Sequence, residues 1–529
     1  MRSSLGSTAG GDGITRRDAL KGLGGIIAAS AVSATSSAET SHAAQAPASS
    51  GGSLPKRPNI LWITGEGVPT SVLSCYGSRL IETPHIDRIA REGMRFENSF
   101  VTNALCAPSR ATLLTGTYNN VNGMYGNPEI PATTGTLMPH FSPAQETFAK
   151  ILKRNGYQTG MVGKWHLPVN PAEVGFDYFV YKNGAGGPYY QSTGYFGNPS
   201  LGSSEVQAQV HEGYSTDIIT DLSIKGIQEF KQPFLMMVQY FNDHRPFDPP
   251  HKYEHIYDDV RIPEPATFWD NYENRSEAAK AARMRIENMP DFNPPADLTP
   301  RQRKQWNYQK FMEHFLGTLR AQDDNIGRLL DFLDKSGLAE NTIVVYTCDH
   351  GFFLGDHGWF DKRFMYEQAI RVPWMIRCPG MQGRGTVKSD WVISIDNAPT
   401  ILDLCGLSAP AEMQGRSVAP LMRGESLVPR ENALYYHYYE FGPPHWAAPH
   451  YGIRTERYKL IHYYNRNEWD FFDLERDPDE MDSLFRENGM LVVPEYEDTL
   501  KQLVAQLKER REFYKDNTGL PVIMWPPGD

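Results

Sequence analysis

The sequence predicts an α/β protein with a large, mixed and mostly parallel β-sheet flanked by helices, followed by a smaller C-terminal α+β subdomain. Apolar, β-branched runs alternate with helical patterns between residues 58 and 347, which is typical of a parallel sheet covered on both faces. The chain has 529 residues, more than one ordinary core accommodates. After about Arg430 the pattern changes to short aromatic runs and a terminal helix. We therefore predict a leader at 1–53, a main domain at 54–425 and a subdomain at 426–529.

The predicted elements of the main domain follow one another in a regular order. A buried strand over 58–64 ends at Gly65, and Thr83 with Pro84 begins a helix that ends at Gly93. The remaining predicted elements are strands at 94–101, 158–162, 234–240 and 342–347, and helices at 145–154 and 306–335. Because α/β sheets place their sites at the carboxyl ends of the strands, we look for functional residues there.

Two segments of the main domain differ in composition from the predicted strands and helices. Residues 189–215 and 258–300 are rich in Gly, Pro and polar residues and are predicted to be long surface insertions that shape a substrate mouth. In the C-terminal part, strands are predicted at 434–438, 451–454 and 458–463, with a helix at 496–513. This pattern predicts a small antiparallel sheet and one helix.

Composition limits the classes of function. The formal net charge of −11 excludes a general nucleic-acid binder, which carries a basic face. No run of about 20 apolar residues follows the N-terminal segment, so no membrane span is predicted. If the substrate is a polyanion, its attraction must come from a few Lys, Arg and His residues that line a pocket in an acidic protein.

The N-terminus resembles a twin-arginine export signal. Arg16 and Arg17 are followed by Leu20, then by a weakly apolar run and an Ala/Ser-rich stretch. Ala19 stands where phenylalanine is more common, and a disordered basic tail is the alternative. The resemblance predicts cleavage after about Ala46 and a periplasmic or extracellular protein.

The segment 106–116 carries the strongest motif in the chain. It reads Cys-Ala-Pro-Ser-Arg-Ala-Thr-Leu-Leu-Thr-Gly, and Pro108 suits the first turn of a helix, which would place Cys106 where free N–H groups favour an anion. The five cysteines leave at least one unpaired, and Cys106 is the natural candidate. A buried structural cysteine is the alternative. The motif closely resembles the site at which type I sulfatases, members of the alkaline phosphatase superfamily, convert cysteine to formylglycine.

The resemblance extends over about 58–484 and implies an alkaline phosphatase-like fold and a mechanism. A formylglycine-generating maturation enzyme would act on Cys106, and the hydrated aldehyde would attack sulfur and later expel sulfate. Arg110 would hold this group and the metal shell. The further implied roles are sulfate binding by Lys164 and Lys362, a base that breaks down the sulfated intermediate at His166, and a general acid at His244.

The resemblance also implies a calcium ion bound near Cys106. Asp349 and His350 follow the strand at 342–347, and Glu66 follows the first strand. Gly67 stands where the family has a second acidic residue, which predicts a weakened site, a water in the vacancy or no ion. On this view Gly67→Asp should tighten metal binding. The segment 355–358, Gly-Asp-His-Gly, resembles the iduronate-2-sulfatase branch.

The substrate implied is a sulfated carbohydrate. Arg363, His445 and His450 are candidate substrate-binding residues, and the last two belong to an aromatic, His-rich run that could equally form an aromatic core. The C-terminal motifs resemble those of bacterial polysaccharide sulfatases. Two alternatives stay open: a phosphonate monoester or phosphodiester hydrolase of the same superfamily, and a catalytically silent glycan-binding protein.

Overall fold

A computed structural model describes residues 53–518, apart from 130–136, 183, 185, 191–192, 199–202, 429, 431 and 487–490. The predicted leader, with its cleavage point, lies outside the described residues except for Ser53, and the last part of the predicted C-terminal subdomain, 519–529, lies outside them as well. Residues 50–529 form one compact unit. No helix of the described residues is long and apolar enough to cross a membrane.

The main sheet contains ten strands among the described residues. They are β1 (Asn59–Gly65), β2 (Met94–Phe100), β3 (Gln158–Lys164), β4 (Tyr178–Lys182), β5 (Thr193–Asn198), β6 (Ser203–Val210), β7 (Phe234–Gln239), β8 (Thr342–Cys348), β11 (Trp374–Arg377) and β12 (Thr386–Ile393), and the short strands β9 (Phe353–Leu354) and β10 (Phe360–Asp361) pair separately. The spatial order is β12-β2-β11-β8-β1-β7-β3-β4-β5-β6. Strands β8, β1, β7, β3 and β4 are mutually parallel, and β11, β5 and β6 run antiparallel to their neighbours. The predicted mixed, mostly parallel sheet is confirmed.

Helices flank this sheet. They are α1 (Pro84–Glu92), α2 (Cys106–Thr115), α3 (Asn119–Asn122), α4 (Phe148–Arg154), α5 (Ser215–Glu229), α6 (Glu277–Ala281), α7 (Pro300–Lys335), α8 (Glu367–Ile370), α9 (Asn397–Leu404), α10 (Ala419–Met422) and α11 (Glu497–Phe513). Helix α7 begins six residues before the predicted start because Thr299 and Gln302 form a capping box around Pro300. Helix α4 begins three residues later than predicted, where the Thr147 hydroxyl accepts the Lys150 N–H.

The two predicted surface insertions are corrected by the structure. Within 189–215 the chain forms β5 and β6, which extend the main sheet by antiparallel pairing at its edge. Within 258–300 several apolar side chains are buried, among them Phe268 and Met284, and α6 lies in this segment. Strand pairing in the first segment and buried apolar side chains in the second therefore occur where a Gly- and Pro-rich composition predicted loops.

The C-terminal sheet is antiparallel, as predicted, with one strand more than expected. Its strands are β13 (Leu434–Tyr438), β14 (His450–Arg454), β15 (Tyr458–Tyr463) and β16 (Glu468–Asp473), followed by the pair β17 (Phe485–Arg486) and β18 (Leu491–Val492). The Tyr436 hydroxyl joins this sheet to the main body, since it accepts the Ala104 N–H at 3.0 Å and donates to the carbonyl oxygen of Arg363 at 2.5 Å. These contacts place the small sheet beside the start of α2.

Candidate active site

Four parallel strands deliver polar residues to one edge of the sheet. Glu66 follows β1, Lys164 ends β3, Gln239 ends β7, and Asp349 follows β8. The strands themselves are almost wholly buried and carry no charged side chain before their last residue, so the charged side chains occur where the chain leaves the sheet. Because these strands are parallel and adjacent, their carboxyl ends meet, as expected for a site in an α/β sheet.

Cys106 is the first residue of α2 and lies at the centre of this edge. Its side chain is fully buried, and its thiol donates to Glu66 Oε1 at 3.0 Å and lies 3.3 Å from His350 Nε2. Burial and the charge of Glu66 oppose ionisation, but Lys164, Lys362 and His350 outweigh them and hold the pKa of the Cys106 thiol well below its ordinary value. The position favours negative charge, as the motif predicted.

Arg110 joins the carboxylates of the site. One turn after Cys106, its guanidinium donates to Glu66 Oε2 at 2.7 Å and to Asp349 Oδ2 at 3.1 Å. It also donates to the Lys164 carbonyl oxygen at 2.9 Å and to Gln239 Oε1 at 2.8 Å. A planar guanidinium suits this multiple contact, which an ammonium would not reproduce. Arg110 therefore links the two carboxylates to the carboxyl ends of β3 and β7.

Glu66, Cys106, Asp349 and His350 form the group that could hold a metal ion. Their donor atoms lie within 4.8 Å of one another, and all four residues are buried. His350 Nδ1 contacts the carbonyl oxygen of Gly351 at 2.9 Å, which directs Nε2 into the site. Burial and the charge of Glu66 raise the pKa of Asp349 to about 6. Two buried carboxylates beside an imidazole are a donor set that fits an oxygen-preferring divalent cation.

Gly67 differs from the sequence-based expectation. Its backbone is left-handed, with φ of +66°, and its N–H donates to Asp349 Oδ1 at 3.3 Å. A Cβ atom here would lie 2.9 Å from Phe352 Cδ2 and 3.2 Å from His350 Cε1. A side chain at position 67 would therefore meet backbone strain and crowding, which count against the prediction that Gly67→Asp tightens metal binding.

Two lysines bring positive charge to the thiol. Lys164 Nζ donates to Glu66 Oε1 at 2.6 Å, and only 1% of its side chain is exposed. Lys362 Nζ lies 3.5 Å from Asp361 Oδ1 and 5.5 Å from the centre of the Phe352 ring. Burial disfavours its charge, but the charges of Cys106 and Asp361 raise the pKa of Lys362 above its ordinary value. The structure brings both predicted lysines to the site.

The two predicted acid–base histidines are held differently. His166 has a left-handed backbone and its Nε2 lies 2.8 Å from Glu129, while its Nδ1 has no hydrogen-bond partner among the described residues. His244 is half-buried, and its Nδ1 lies 3.3 Å from the Arg245 carbonyl oxygen. Burial and the charge of Lys362 lower the pKa of His244 to about 4.

The predicted substrate residues divide into two groups. Arg363 Nη1 and His445 Nε2 each lie 2.8 Å from the carboxylate of Asp361, the last residue of β10. His450 is fully buried in the C-terminal sheet, where its Nε2 accepts the Met365 N–H at 3.1 Å and its Nδ1 contacts the Ala448 carbonyl oxygen at 2.8 Å. Both ring nitrogens of His450 are engaged, so the prediction that it binds substrate is wrong and its aromatic-core alternative holds.

Sequence reasoning missed three functional neighbours. Asp361 directly precedes the predicted Lys362 and Arg363 but was given no role, although it joins Arg363 and His445. Gln239, which accepts from Arg110, could have been noticed as the polar end of an otherwise apolar strand. Glu129 follows no recognisable element, and no local pattern indicates its contact with His166.

This fold and site define a class of protein: a hydrolase of anionic esters whose reacting residue lies at a helix N-terminus among buried cations. The family model described as sulfatase matches residues 58–407, and the model described as the C-terminal part of N-sulphoglucosamine sulphohydrolase matches 355–512. The chain belongs to the sulfatase family and is a sulfuric ester hydrolase. The family predicted from the Cys106 motif is confirmed.

Several known proteins resemble the chain over most of its length. It is 38% identical over 514 residues to N-acetylglucosamine-6-O-sulfatase of Bacteroides thetaiotaomicron, across 87% of this chain and 88% of the relative. It is 27% identical over 511 residues to an arylsulfatase of Clostridium perfringens, across 88% of this chain and 97% of the relative. A solved complex with the substrate D-glucosamine-2-N,6-O-disulfate is similar with a TM-score of 0.78 and 37% identity, covering 88% of this chain and 99% of that one. A phosphonate monoester hydrolase of Agrobacterium radiobacter, at 20% identity, shares the fold with a TM-score of 0.67, across 87% of this chain and 96% of that one.

Proposed function

We propose that this sulfatase removes the 6-O-sulfate of a glucosamine-type sugar in a sulfated glycan, using formylglycine formed from Cys106 and a bound calcium ion. One observation carries the proposal: the Cys106 side chain is buried at the start of α2, among the charges of Lys164, Lys362 and His350. Such a cluster is built for a tetrahedral oxyanion. The names of the 38% identical relative and of the sugar-bound solved structure support a 6-sulfated glucosamine.

Two groups would complete the site. Formylglycine would supply, when hydrated, one hydroxyl that attacks sulfur and a second hydroxyl whose loss of a proton expels sulfate and restores the aldehyde. A divalent cation held by Glu66, Asp349 and His350 supplies charge that polarises the ester. These residues fit both groups, because the Cys106 sulfur lies within 4.8 Å of a donor oxygen of each carboxylate and Arg110 holds those carboxylates in place.

The chain's own cations would bind the sulfate group. Lys164 approaches position 106 from β3 and Lys362 from the loop after β10, so the two ammonium groups converge from different strands. A sulfate oxygen placed between them would exchange part of the Lys164–Glu66 pairing for a contact with substrate. As charge develops on the sulfate oxygens, these fixed ammonium groups stabilise it without reorganisation.

Two histidines would move protons. His166 has a free Nδ1 among the described residues and an Nε2 held by Glu129, which together suit a base that takes a proton near position 106. His244 would give its Nε2 proton to the oxygen that leaves sulfur. In the resting site burial and Lys362 keep its pKa at about 4, and the negative charge of a bound sulfate ester would raise it.

The sugar would meet a second group of polar residues. Asp361 holds His445 on one side and Arg363 on the other, and these groups adjoin Lys362. Asp361 and Arg363 both have left-handed backbones, with φ of 81° and 98°, a strain that marks functional sites. A carboxylate, a guanidinium and an imidazole in one wall can read the hydroxyl pattern of a sugar.

The supporting system would include a formylglycine-generating enzyme and an export route. The proposed twin-arginine leader fits a periplasmic or extracellular enzyme, since residues 16–17 are paired arginines before a weakly apolar run. The protein's acidic charge fits the local cluster of cations as its attraction for a polyanionic glycan.

The test combines a mass measurement with substrate comparison. Protein made with a formylglycine-generating enzyme is digested, and an aldehyde at position 106 is expected. Sulfate release is then compared for N-acetylglucosamine 6-sulfate, its 3-sulfate isomer, galactose 6-sulfate and an aryl phosphonate. Preference for the first supports the proposal. Preference for galactose 6-sulfate or the phosphonate refutes the sugar or the ester assignment, and an unmodified, active protein refutes the nucleophile.

A further inference from the structure

A short segment outside the predicted motifs closes around His244. Gly186, Gly187 and Tyr189, called the clamp below, lie between β4 and α5 and contact the backbone of the turn that carries this histidine. None of the three was singled out in the sequence. The clamp contains none of the lysines of the sulfate-binding cluster, yet it contacts the turn that carries the candidate acid.

The contacts of the clamp converge on one carbonyl group. The Arg245 carbonyl oxygen accepts the Tyr189 hydroxyl at 3.0 Å and the Gly187 N–H at 3.4 Å. His244 Nδ1 lies 3.3 Å from the same oxygen. The Tyr189 hydroxyl also contacts the carbonyl oxygen of His244 itself. If Nδ1 carries a proton it donates to this fixed carbonyl, so Nε2 is the ring nitrogen left for substrate.

The short distance between the clamp and the turn at 244–245 requires glycine at position 186. A Cβ atom at this position would lie 2.2 Å from the Arg245 carbonyl oxygen and 2.7 Å from His244 Nδ1. Any other residue would displace the Arg245 carbonyl group or the His244 imidazole, because the first is backbone and the second is a rigid ring.

The clamp is itself anchored on both sides. Lys182 Nζ, at the end of β4, donates to the Gly187 carbonyl oxygen at 2.7 Å and lies 5.2 Å from the centre of the Phe241 ring. Tyr189 is 1% exposed, and its carbonyl oxygen accepts the Ser215 N–H at 2.8 Å, where α5 begins. The clamp is thus tied to the main sheet and to a long helix, which suits a part that sets the geometry of another residue.

We infer that the clamp is a positioning device for proton transfer: Gly186 and Tyr189 orient the His244 imidazole so that Nε2 faces the oxygen that leaves sulfur. This inference rests on the proposed role of His244 as general acid. In the step concerned, the S–O bond breaks, the proton passes from Nε2 to the departing oxygen, and the imidazole becomes neutral. A departing group that is already a stable anion does not need this proton.

The test therefore compares substrates whose leaving groups differ in their need for a proton. Tyr189→Phe and Gly186→Ala are compared with wild type on a sugar sulfate and on 4-nitrophenyl sulfate, with an alkyl sulfate as a second poor leaving group. We expect kcat for the sugar and alkyl esters to fall about 10- to 100-fold, with KM and aryl sulfate turnover within about twofold. His244→Ala should show the same selectivity, to a larger degree.

Tyr190→Phe is the matched control. Its hydroxyl accepts the His251 N–H at 3.0 Å and does not reach the turn that holds His244, so both activities should be retained. Equal losses on aryl and alkyl esters in the clamp variants, or no loss on either, would overturn the inference. Failure of the wild-type enzyme on every sugar sulfate would instead refute the sugar assignment, and the alkyl-to-aryl ratio would still test the clamp.

Discussion

Substitution of Gly67 tests how this site is built. An aspartate at this position is attractive on sequence grounds, because it would restore an acidic ligand beside Glu66. The structure predicts the opposite. A non-glycine residue at φ of +66° costs about 1–2 kcal/mol, and crowding against Phe352 and His350 adds about 1–3 kcal/mol. The expected loss in the free energy of unfolding is therefore about 2–5 kcal/mol, with weaker metal binding because His350 is displaced.

The assay separates the two costs. Unfolding is followed for Gly67→Asp, Gly67→Ala and Gly77→Ala, and calcium binding is titrated by calorimetry. Gly77 also has a left-handed backbone, with φ of +96°, but a Cβ there meets no described atom within 4 Å. The cost of Gly77→Ala is therefore backbone strain without crowding. For a chain of this size, with about 2.1 cal/mol/K of unfolding entropy per residue, each kcal/mol lowers Tm by about 1 °C. A Gly67→Asp protein as stable as wild type that binds calcium more tightly would refute the steric reasoning.

Three further predictions follow from particular contacts. Cys106→Ala and Lys362→Ala should lower turnover by more than about 10³-fold while the unfolding temperature stays within a few degrees, and near-normal turnover in either would contradict the mechanism. His450→Ala should lower the free energy of unfolding by about 2–4 kcal/mol without changing KM, because it leaves the buried Met365 N–H without an acceptor. His445→Ala should raise KM about tenfold and leave the free energy of unfolding similar. The reverse pattern would contradict the assignment of His450 to the core and of His445 to the substrate wall. Burial raises the pKa of Asp243 to about 8, so the folded state binds more protons than the unfolded state between about pH 4 and 8, and stability should fall as pH rises through that range. Asp243→Asn should remove up to about 5 kcal/mol of this loss. Denaturant unfolding whose pH dependence is the same in the variant and the wild type would contradict this prediction.

Local patterns were sufficient for much of the fold. The buried strands were predicted correctly because a short apolar, β-branched run between turn residues is typical of a buried strand in a parallel sheet. The predicted ends of α1 and α11 agree with the structure because helix-end residues and helix periodicity act within a few positions of the chain. The family was also readable, since the motif at Cys106 is a contiguous chemical signature. The segments 189–215 and 258–300 failed because turn-forming residues occur in packed and exposed chain alike.

What the sequence by itself determined was therefore the residue types, their order and the strand ends that present them. Only the tertiary structure decided which of them meet. Arg110 reaches Asp349 across 239 positions of chain, and Asp361 meets His445 across 84, although no periodicity relates them. Only the fold shows that a side chain at Gly67 would crowd His350, that His450 belongs to a core and that a side chain at Gly186 would collide with His244. The physical reason is that backbone conformation, close packing and burial depend on neighbours distant in sequence, whereas pattern records only neighbours along the chain.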